Sequence, residues 1–171
     1  MPETETIVIN TGPLLALIAG YGDLSLLKNL YRRILVPFEV CREIEAGGAL
    51  GFGVNEFNKS DFLDKISLPL SIPTYLKNSL DLGESSVIQL ALQQNIATVC
   101  IDETVGRRIA RLNGLKLTGS IGVLIRARQA GLGFSMSEVI DRMQARGIYL
   151  SQKVMRFALL QCHELDIKKR S

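Results

Sequence analysis

The chain has 171 residues, of which 47% are hydrophobic and 22% are charged, and this length suits one domain with a substantial core. Only 6% of the chain is aromatic, which argues against platforms on which the bases of single-stranded nucleic acid stack. The three cysteines are widely spaced and there is one histidine, which argues against a disulfide framework and the usual zinc sites. The net charge of +3 is mild, so it permits contact with nucleic acid without arguing for it. No apolar run approaches the roughly 20 residues that span a bilayer, and the acidic N-terminus is unlike a signal peptide, so we expect a cytoplasmic protein.

The N-terminal residues predict a short buried strand followed by two helices. The strand covers residues 7–10, and leucine and isoleucine then recur at helical spacing. We expect Gly20 and Gly22 to stop this first helix, because glycine readily adopts the conformation that ends one. Asp23 can then cap a second helix over residues 24–31.

The next segment predicts a strand, a helix and a long irregular region. The strand covers residues 34–36, and the proline after it begins a helix over residues 37–48. Residues 47–60 contain several glycines and polar side chains, so we expect a mobile loop with one helical turn. Apolar residues alternate over 65–72, where Pro69 restricts any strand to the edge of a sheet.

From residue 81 onward the pattern of helices and strands is regular. The predicted elements are a helix over 83–94, a strand over 97–101, a helix over 104–113, a strand over 115–118, and helices over 120–130, 135–145 and 151–165. Strands that alternate with helices indicate an α/β fold with a parallel sheet covered on both faces. We therefore expect one domain over residues 1–171, with its core over about 7–150, a C-terminal helix, and a basic tail over 166–171.

Polar side chains follow the ends of the two most apolar predicted strands. Asn10 follows the first strand, and Asp102 and Glu103 follow the strand over residues 97–101. In a parallel sheet these positions share one edge, where ligands bind. Glu84 in the first turn of its helix and Glu43 in an earlier helix can add carboxylates to the same place. Oxygen donors gathered in this way suit a hard divalent cation.

Each of these positions, taken singly, also has a structural explanation. Glu84 is an ordinary acidic residue in the first turn of a helix, where the helix dipole favours it. Asp102 can cap the helix that follows it, and Glu43 can lie on a solvated helix face. Only their joint placement favours a functional site.

Several segments, taken in order, resemble the PIN-domain ribonucleases, especially the VapC-like branch of virulence-associated toxin–antitoxin nucleases. The matching segments are 7–14 (IVINTGPL), 36–44 (VPFEVCREI), 82–91 (LGESSVIQLA), 99–103 (VCIDE), 106–110 (GRRIA) and 117–124 (LTGSIGVL). The resemblance covers about residues 7–150. It implies a three-layer α/β/α PIN-like fold with a mostly parallel central sheet flanked by helices.

The resemblance also implies an endoribonuclease that depends on Mg²⁺ or Mn²⁺. By position, Glu43, Glu84 and Asp102 correspond to metal ligands, and Glu103 is an alternative acid at the same site. Asn10 stands where the family commonly has an aspartate, so this ligand brings an oxygen but no charge. Two interpretations follow: an enzyme in which Asn10 still ligates or orients, and a weak or inactive PIN-fold module that binds RNA or protein.

Three further residues are candidates for contact with an RNA phosphate: Thr11, Arg107 and Ser120. Arg107 lies about one helical turn after Asp102, so it can face the substrate, although a solvated helix face is the simpler explanation for it. Thr11 and Ser120 are also ordinary turn and capping residues. For partners, the resemblance implies an RNA substrate, a small antitoxin protein and a homodimer.

Overall fold

The computed structural model describes residues 5–47 and 51–165, which form five strands and ten helices. The strands are β1 (Thr6–Ile9), β2 (Arg33–Val36), β3 (Asp64–Lys65), β4 (Thr98–Cys100) and β5 (Lys116–Thr118). All neighbouring strands pair in parallel, in the order β3-β2-β1-β4-β5. Because β1 is central and the strands are parallel, their carboxyl ends all lie along one edge of the sheet.

Helices cover both faces of this sheet. They are α1 (Thr11–Tyr21), α2 (Ser25–Leu30), α3 (Phe38–Glu45), α4 (Val54–Lys59), α5 (Thr74–Ser79), α6 (Leu82–Gln93), α7 (Thr104–Leu112), α8 (Ser120–Gln129), α9 (Met136–Ala145) and α10 (Gln152–Gln161). Helix α6 contacts α3, α5 and α7, and α1 contacts α3, α8 and α9. The predicted three-layer α/β/α fold with a parallel central sheet is therefore confirmed.

The core explains why the strand segments are so apolar. Ile7, Val8 and Ile9 of β1 are fully buried, as are Val99 and Cys100 of β4. A strand covered on both faces has no solvent side, so its sequence is a continuous apolar run instead of an alternating one.

The end of α1 differs from the prediction at one glycine. Gly22 does end the helix, with a left-handed φ of 108°. Gly20 does not, because it lies inside α1 where that helix packs closely on α9. A methyl group at Gly20 would place its carbon 2.7 Å from Val139 Cγ1 and 2.8 Å from Met143 Cγ. The glycine therefore allows a close helix contact, and the prediction that it stops the helix was wrong.

The region between β2 and α6 has more regular structure than the sequence indicated. Helix α4 occupies six residues of the predicted loop, while Gly48, the predicted end of the preceding helix, lies outside the described residues. The predicted extended segment contributes only β3, a two-residue edge strand. Helix α5 was not predicted. The predicted basic tail over 166–171 also lies outside the described residues.

A carboxylate near the C-terminal end of the described chain fastens α10 to α8 and α9. Glu164 accepts hydrogen bonds from the backbone N–H groups of Met136 (2.6 Å) and Ser137 (3.0 Å), at the start of α9. It also forms an ion pair of 2.6 Å with Arg128 of α8. Burial alone raises the pKa of Glu164, but these hydrogen bonds and one from Ser135 outweigh it and hold the pKa below its usual value.

We expect Glu164→Gln to lower the free energy of unfolding by about 1–3 kcal/mol at pH 7, because the helix start and Arg128 lose their charged partner. Because the pKa of Glu164 is lower in the folded protein than in the unfolded chain, ionised Glu164 stabilises the fold at neutral pH. This contribution is lost in acid, as the pH falls through the pKa that Glu164 has in the folded protein. Urea unfolding at several pH values should therefore show the gap between the two proteins shrinking in acid. A gap of constant size would contradict this role.

No helix in the described part of the chain is long and apolar enough to cross a membrane. Cys41, Cys100 and Cys162 are buried free thiols.

Candidate active site

The site begins where β1 ends beside β4. The backbone N–H of Asn10 donates to the carbonyl of Cys100 at 3.1 Å, so the residue after β1 lies against the end of β4. Asn10 occupies the N-cap position of α1 and is only 6% exposed. Its side chain makes no capping hydrogen bond to the helix. The predicted placement of Asn10 at the carboxyl edge of the sheet is thus confirmed.

Glu43 reaches this edge from α3. Thr11, the first residue of α1, donates its hydroxyl hydrogen to Glu43 Oε2 at 2.9 Å. Thr11 is buried, whereas Glu43 is exposed. The hydrogen bond joins residues 32 positions apart and fixes one oxygen of the carboxylate next to Asn10.

A third side of the site is formed by the start of α6. Asp81 is the N-cap, and its Oδ1 accepts a hydrogen bond from the backbone N–H of Glu84 at 2.8 Å. Between them, Gly83 leaves room that a side chain would fill. A methyl group there would place its carbon 2.6 Å from Glu43 Oε2 and 3.1 Å from Asn10 Oδ1. The missing side chain at Gly83 is therefore what lets these two oxygens approach α6.

Glu84 is a buried carboxyl among other carboxylates. It is 6% exposed, and its pKa is raised from 4.5 to about 7. Burial is the largest cause, followed by the negative charges of Asp81, Glu103 and Glu43. Each neighbour disfavours a further negative charge at Glu84. The structure thus brings Glu43, Glu84 and Glu103 into one electrostatic environment.

Asp102 lies on the β4 side and is held by the start of α8. It accepts hydrogen bonds from the backbone N–H and from the hydroxyl of Ser120, both at 2.8 Å. Gly119 permits this approach, since a methyl group there would place its carbon 2.6 Å from Asp102 Oδ1. The N-cap of α7 is Glu103 and not Asp102, whose side chain bonds to the start of α8 instead.

Arg107 joins the ends of β4 and β5. Its Nη1 donates to the carbonyl of Ile101 at 2.8 Å and to that of Thr118 at 3.2 Å. Thr11, Ser120 and Arg107 therefore each hold part of the site framework in this structure. Contact between any of them and a phosphate stays a prediction.

The chemistry of the donor set fits a hard divalent cation. The side chains that meet at this edge offer only amide and carboxylate oxygens, which Mg²⁺ and Mn²⁺ prefer. In the described ranges, no three His, Cys, Asp or Glu side chains stand close enough together to hold a metal ion by themselves. A metal ion at this edge would therefore need ligands besides these acids, and the amide oxygen of Asn10 is one candidate.

Sequence reasoning missed two residues of this site, Asp81 and Gly83. An acid at the N-cap with Glu84 three residues later is the spacing of a capping box, so Asp81 was detectable as a helix start. Nothing in the sequence distinguishes that role from a place in the site. Gly83 lies in the segment 82–91 that carries the family resemblance, but the contacts that its missing side chain permits depend on α3 and on the end of β1.

A family model for the PIN domain matches residues 6–164 of the chain. No curated protein matches the sequence.

Proposed function

Because the chain belongs to the PIN-domain family, whose fold is of nuclease type, we propose that it is a metal-dependent endoribonuclease that hydrolyses RNA phosphodiester bonds. PIN domains generally use divalent metal ions, and Mg²⁺ and Mn²⁺ are the ions that suit the oxygen donors of this site. When bound, such an ion activates water for in-line attack and stabilises the developing negative charge.

The observation that carries this proposal is the environment of Glu84. A buried carboxyl beside three other acids is stable only if a proton or a cation offsets the negative charge. The pKa of Glu84, raised to about 7, supports the proposal, because a carboxyl whose ionisation is disfavoured by neighbouring acids gains from a cation beside it. A divalent cation offsets the charge without protonating a ligand.

The chain's own residues have distinct parts in the proposal. The proposed ligands are Glu43, Glu84, Asp102 and Asn10, and the three acids among them would have to draw closer together when the ion binds, since no three acids in the described residues stand within reach of one ion. Glu103 adds negative charge beside Glu84. Thr11 and Ser120 orient the carboxylates of Glu43 and Asp102 through hydrogen bonds of 2.9 and 2.8 Å.

The same hydroxyl groups, together with Arg107, are the proposed contacts to the RNA phosphate. An arginine side chain has five N–H donors, and only Nη1 of Arg107 donates to the two strand-end carbonyls. The other donors of its guanidinium are the ones we assign to phosphate.

We also propose that the protein is a VapC-like toxin, inhibited by a small antitoxin and active as a homodimer. This part is supported by the sequence resemblance and by exposed apolar side chains next to the site. Leu82 and Val105, near the starts of α6 and α7, are each 56% exposed. A protein that covers the site would remove both side chains from water.

A second function is favoured by the amide at Asn10. If the missing charge prevents metal binding, the chain is a PIN-fold module that binds RNA or protein without cleaving it. Loss of one charge about 4 Å from a divalent ion forfeits several kcal/mol of attraction at an effective dielectric constant near 20. Metal affinity therefore separates the two functions.

Thermal unfolding in increasing Mn²⁺ tests this difference. When the free Mn²⁺ concentration is a hundred times the dissociation constant, binding should stabilise the protein by about 2.7 kcal/mol. This raises Tm by about 5–10 °C for a chain of this size. Asn10→Asp should enlarge the shift, because it restores a charged ligand. A Tm that does not change up to millimolar Mn²⁺ would favour the binding module over the enzyme.

A further inference from the structure

The segment between β3 and α5 is tied to the rest of the protein by a single hydrogen bond. Residues 67–72 have no regular secondary structure, and within them only the backbone N–H of Leu70 is bonded to another described residue. It donates to Oε1 of Glu39, in the first turn of α3, at 2.8 Å. Pro69 has no N–H to donate, and Leu68 is 72% exposed. We call residues 67–71 the strap.

Both ends of the strap are fixed. The backbone N–H of Ile66 donates to the carbonyl of Val36 at 2.9 Å, which continues the pairing of β3 with β2. At the other end Ile72 is buried, whereas Leu70 within the strap is only partly buried against the core. A short segment with fixed ends and few contacts of its own can open locally while the rest of the protein stays folded.

Glu39 is an unusual partner for this contact. It is 8% exposed, and its second oxygen, Oε2, is buried without a hydrogen-bond partner among the described residues. Within that part of the chain, no cation forms an ion pair with it. Lys65, just before the strap, donates instead to the carbonyl of Phe57 at 2.9 Å and lies over the ring of the same residue. A buried carboxylate with one unpaired oxygen is unfavourable, because burial removes the water that this oxygen would bind.

We propose that the strap is a lid over the first turn of α3, that Glu39 is its latch, and that the unpaired charge of Glu39 keeps the lid ready to open. Opening breaks the bond to Leu70 and lets water reach Oε2. Glu43 lies one helical turn further along the same side of α3, so opening uncovers surface next to the candidate site. This side of the site therefore has a covered and an uncovered form, whether or not the site binds a metal.

Amide hydrogen exchange of the full chain, followed residue by residue by NMR, tests the proposal. Val8, in the central strand, reports unfolding of the whole protein, because it is fully buried and paired on both sides. In the wild type, the protection of Leu70 against exchange should be at least about 10-fold lower than that of Val8, since only the strap has to open.

Two substitutions of Glu39 should change the opening in opposite directions. Glu39→Ala removes the acceptor, so the protection of Leu70 should fall by about 10-fold or more. Glu39→Gln keeps an oxygen for the N–H of Leu70 and removes the charge. The amide N–H₂ group that takes the place of Oε2 also lacks a partner, but a buried neutral amide is less unfavourable than a buried charge. The protection of Leu70 should therefore rise by about 3–10-fold in Glu39→Gln.

Glu164→Gln is the matched control, because Glu164 is also a carboxylate that holds a backbone N–H, but both of its oxygens are paired. It accepts from the N–H of Met136 at 2.6 Å and forms an ion pair with Arg128. Removal of this charge should lower the protection of Met136, which is the opposite of the effect expected at Leu70 in Glu39→Gln.

The outcomes are distinct. Equal protection of Leu70 and Val8 in the wild type would show that the strap opens only when the whole protein unfolds, and would overturn the proposal. Unchanged or lower protection of Leu70 in Glu39→Gln would show that Glu39 is an ordinary stabilising contact, and would also overturn it. If Glu39→Ala fails to fold, which loss of protection at Val8 would reveal, the wild type and Glu39→Gln decide the question by themselves.

Discussion

Replacing Glu84 with glutamine is expected to abolish metal-dependent RNA cleavage and to stabilise the protein above pH 7. The cleavage rate should fall by about 100-fold or more, as when a group that stabilises transition-state charge is removed. Stability should rise because the buried carboxyl beside three acids becomes a neutral amide. Glu84 would then lower the stability of the metal-free fold in exchange for its role at the site, a trade-off that is common in active sites.

The effect of Glu84 on stability has a definite pH dependence. Its pKa is about 7 in the folded protein and 4.5 without the fold, so the folded chain binds more protons between these values. The free energy of unfolding of the metal-free wild type should therefore decrease as the pH rises from about 4.5 to about 7 and then level off. The loss is at most about 3 kcal/mol, at about 1.4 kcal/mol for each pKa unit. Urea unfolding at pH 5 and pH 8 measures it.

Glu138→Gln is the control for this experiment, because Glu138 occupies the same position of α9 as Glu84 does of α6. Both donate their backbone N–H to the N-cap side chain, but Glu138 is exposed and is not among the charges that raise the pKa of Glu84. Its variant should keep the wild-type pH dependence and cleavage rate. A pH-dependent loss that persists in Glu84→Gln would show that Glu84 is not its source.

Replacing Gly83 with alanine is expected to disable the site with a small effect on the fold. The new methyl carbon would lie 2.6 Å from Glu43 Oε2, which is closer than any unstrained contact. Because this oxygen is the end of a flexible side chain, we expect the carboxylate to move away and to lose its hydrogen bond from Thr11. Misplacement of a site group by about 1 Å costs about 100-fold in rate. RNA cleavage and Mn²⁺ affinity should both fall, while Tm should change little.

Gly12→Ala provides the comparison. Gly12 lies in the first turn of α1, one residue after Thr11, and a methyl group there meets no atom within 4 Å. The change should leave cleavage intact and raise the free energy of unfolding by about 0.4–1 kcal/mol, because alanine restricts the unfolded chain. Equal cleavage by the Gly83 and Gly12 variants would show that the close approach at Gly83 is unimportant.

The sequence was sufficient for the fold because the buried strands differ strongly from their surroundings. The apolar run around Val8 and the run over residues 97–101 correspond to β1 and β4, which pair with each other. The edge strand β3 has only two paired residues, so its position depends on contact with β2 and not on a local pattern. Gly20 was misread for a related reason, since its role depends on side chains of α9, far away in sequence.

The candidate site was predictable as a set of positions but not as a set of contacts. In a parallel sheet the residues that follow the strands lie at one edge, so the positions of Asn10 and Asp102 could be predicted from the alternation of strands and helices alone. The contacts of Glu43 with Thr11 and of Asp102 with Ser120 join separate elements, so they depend on the packed structure. Asp81 was missed because its sequence pattern indicates only a helix cap, whereas its effect on the pKa of Glu84 depends on the packed structure.

The most direct test of the proposed function is cleavage of internally labelled single-stranded RNA by the purified chain in Mn²⁺, with Glu84→Gln prepared in parallel. The proposal predicts internal cuts by the wild type, none after chelation of the metal, and about 100-fold slower cutting by the variant. Equal cutting by both proteins, or intact RNA with the wild type in Mn²⁺, would contradict it.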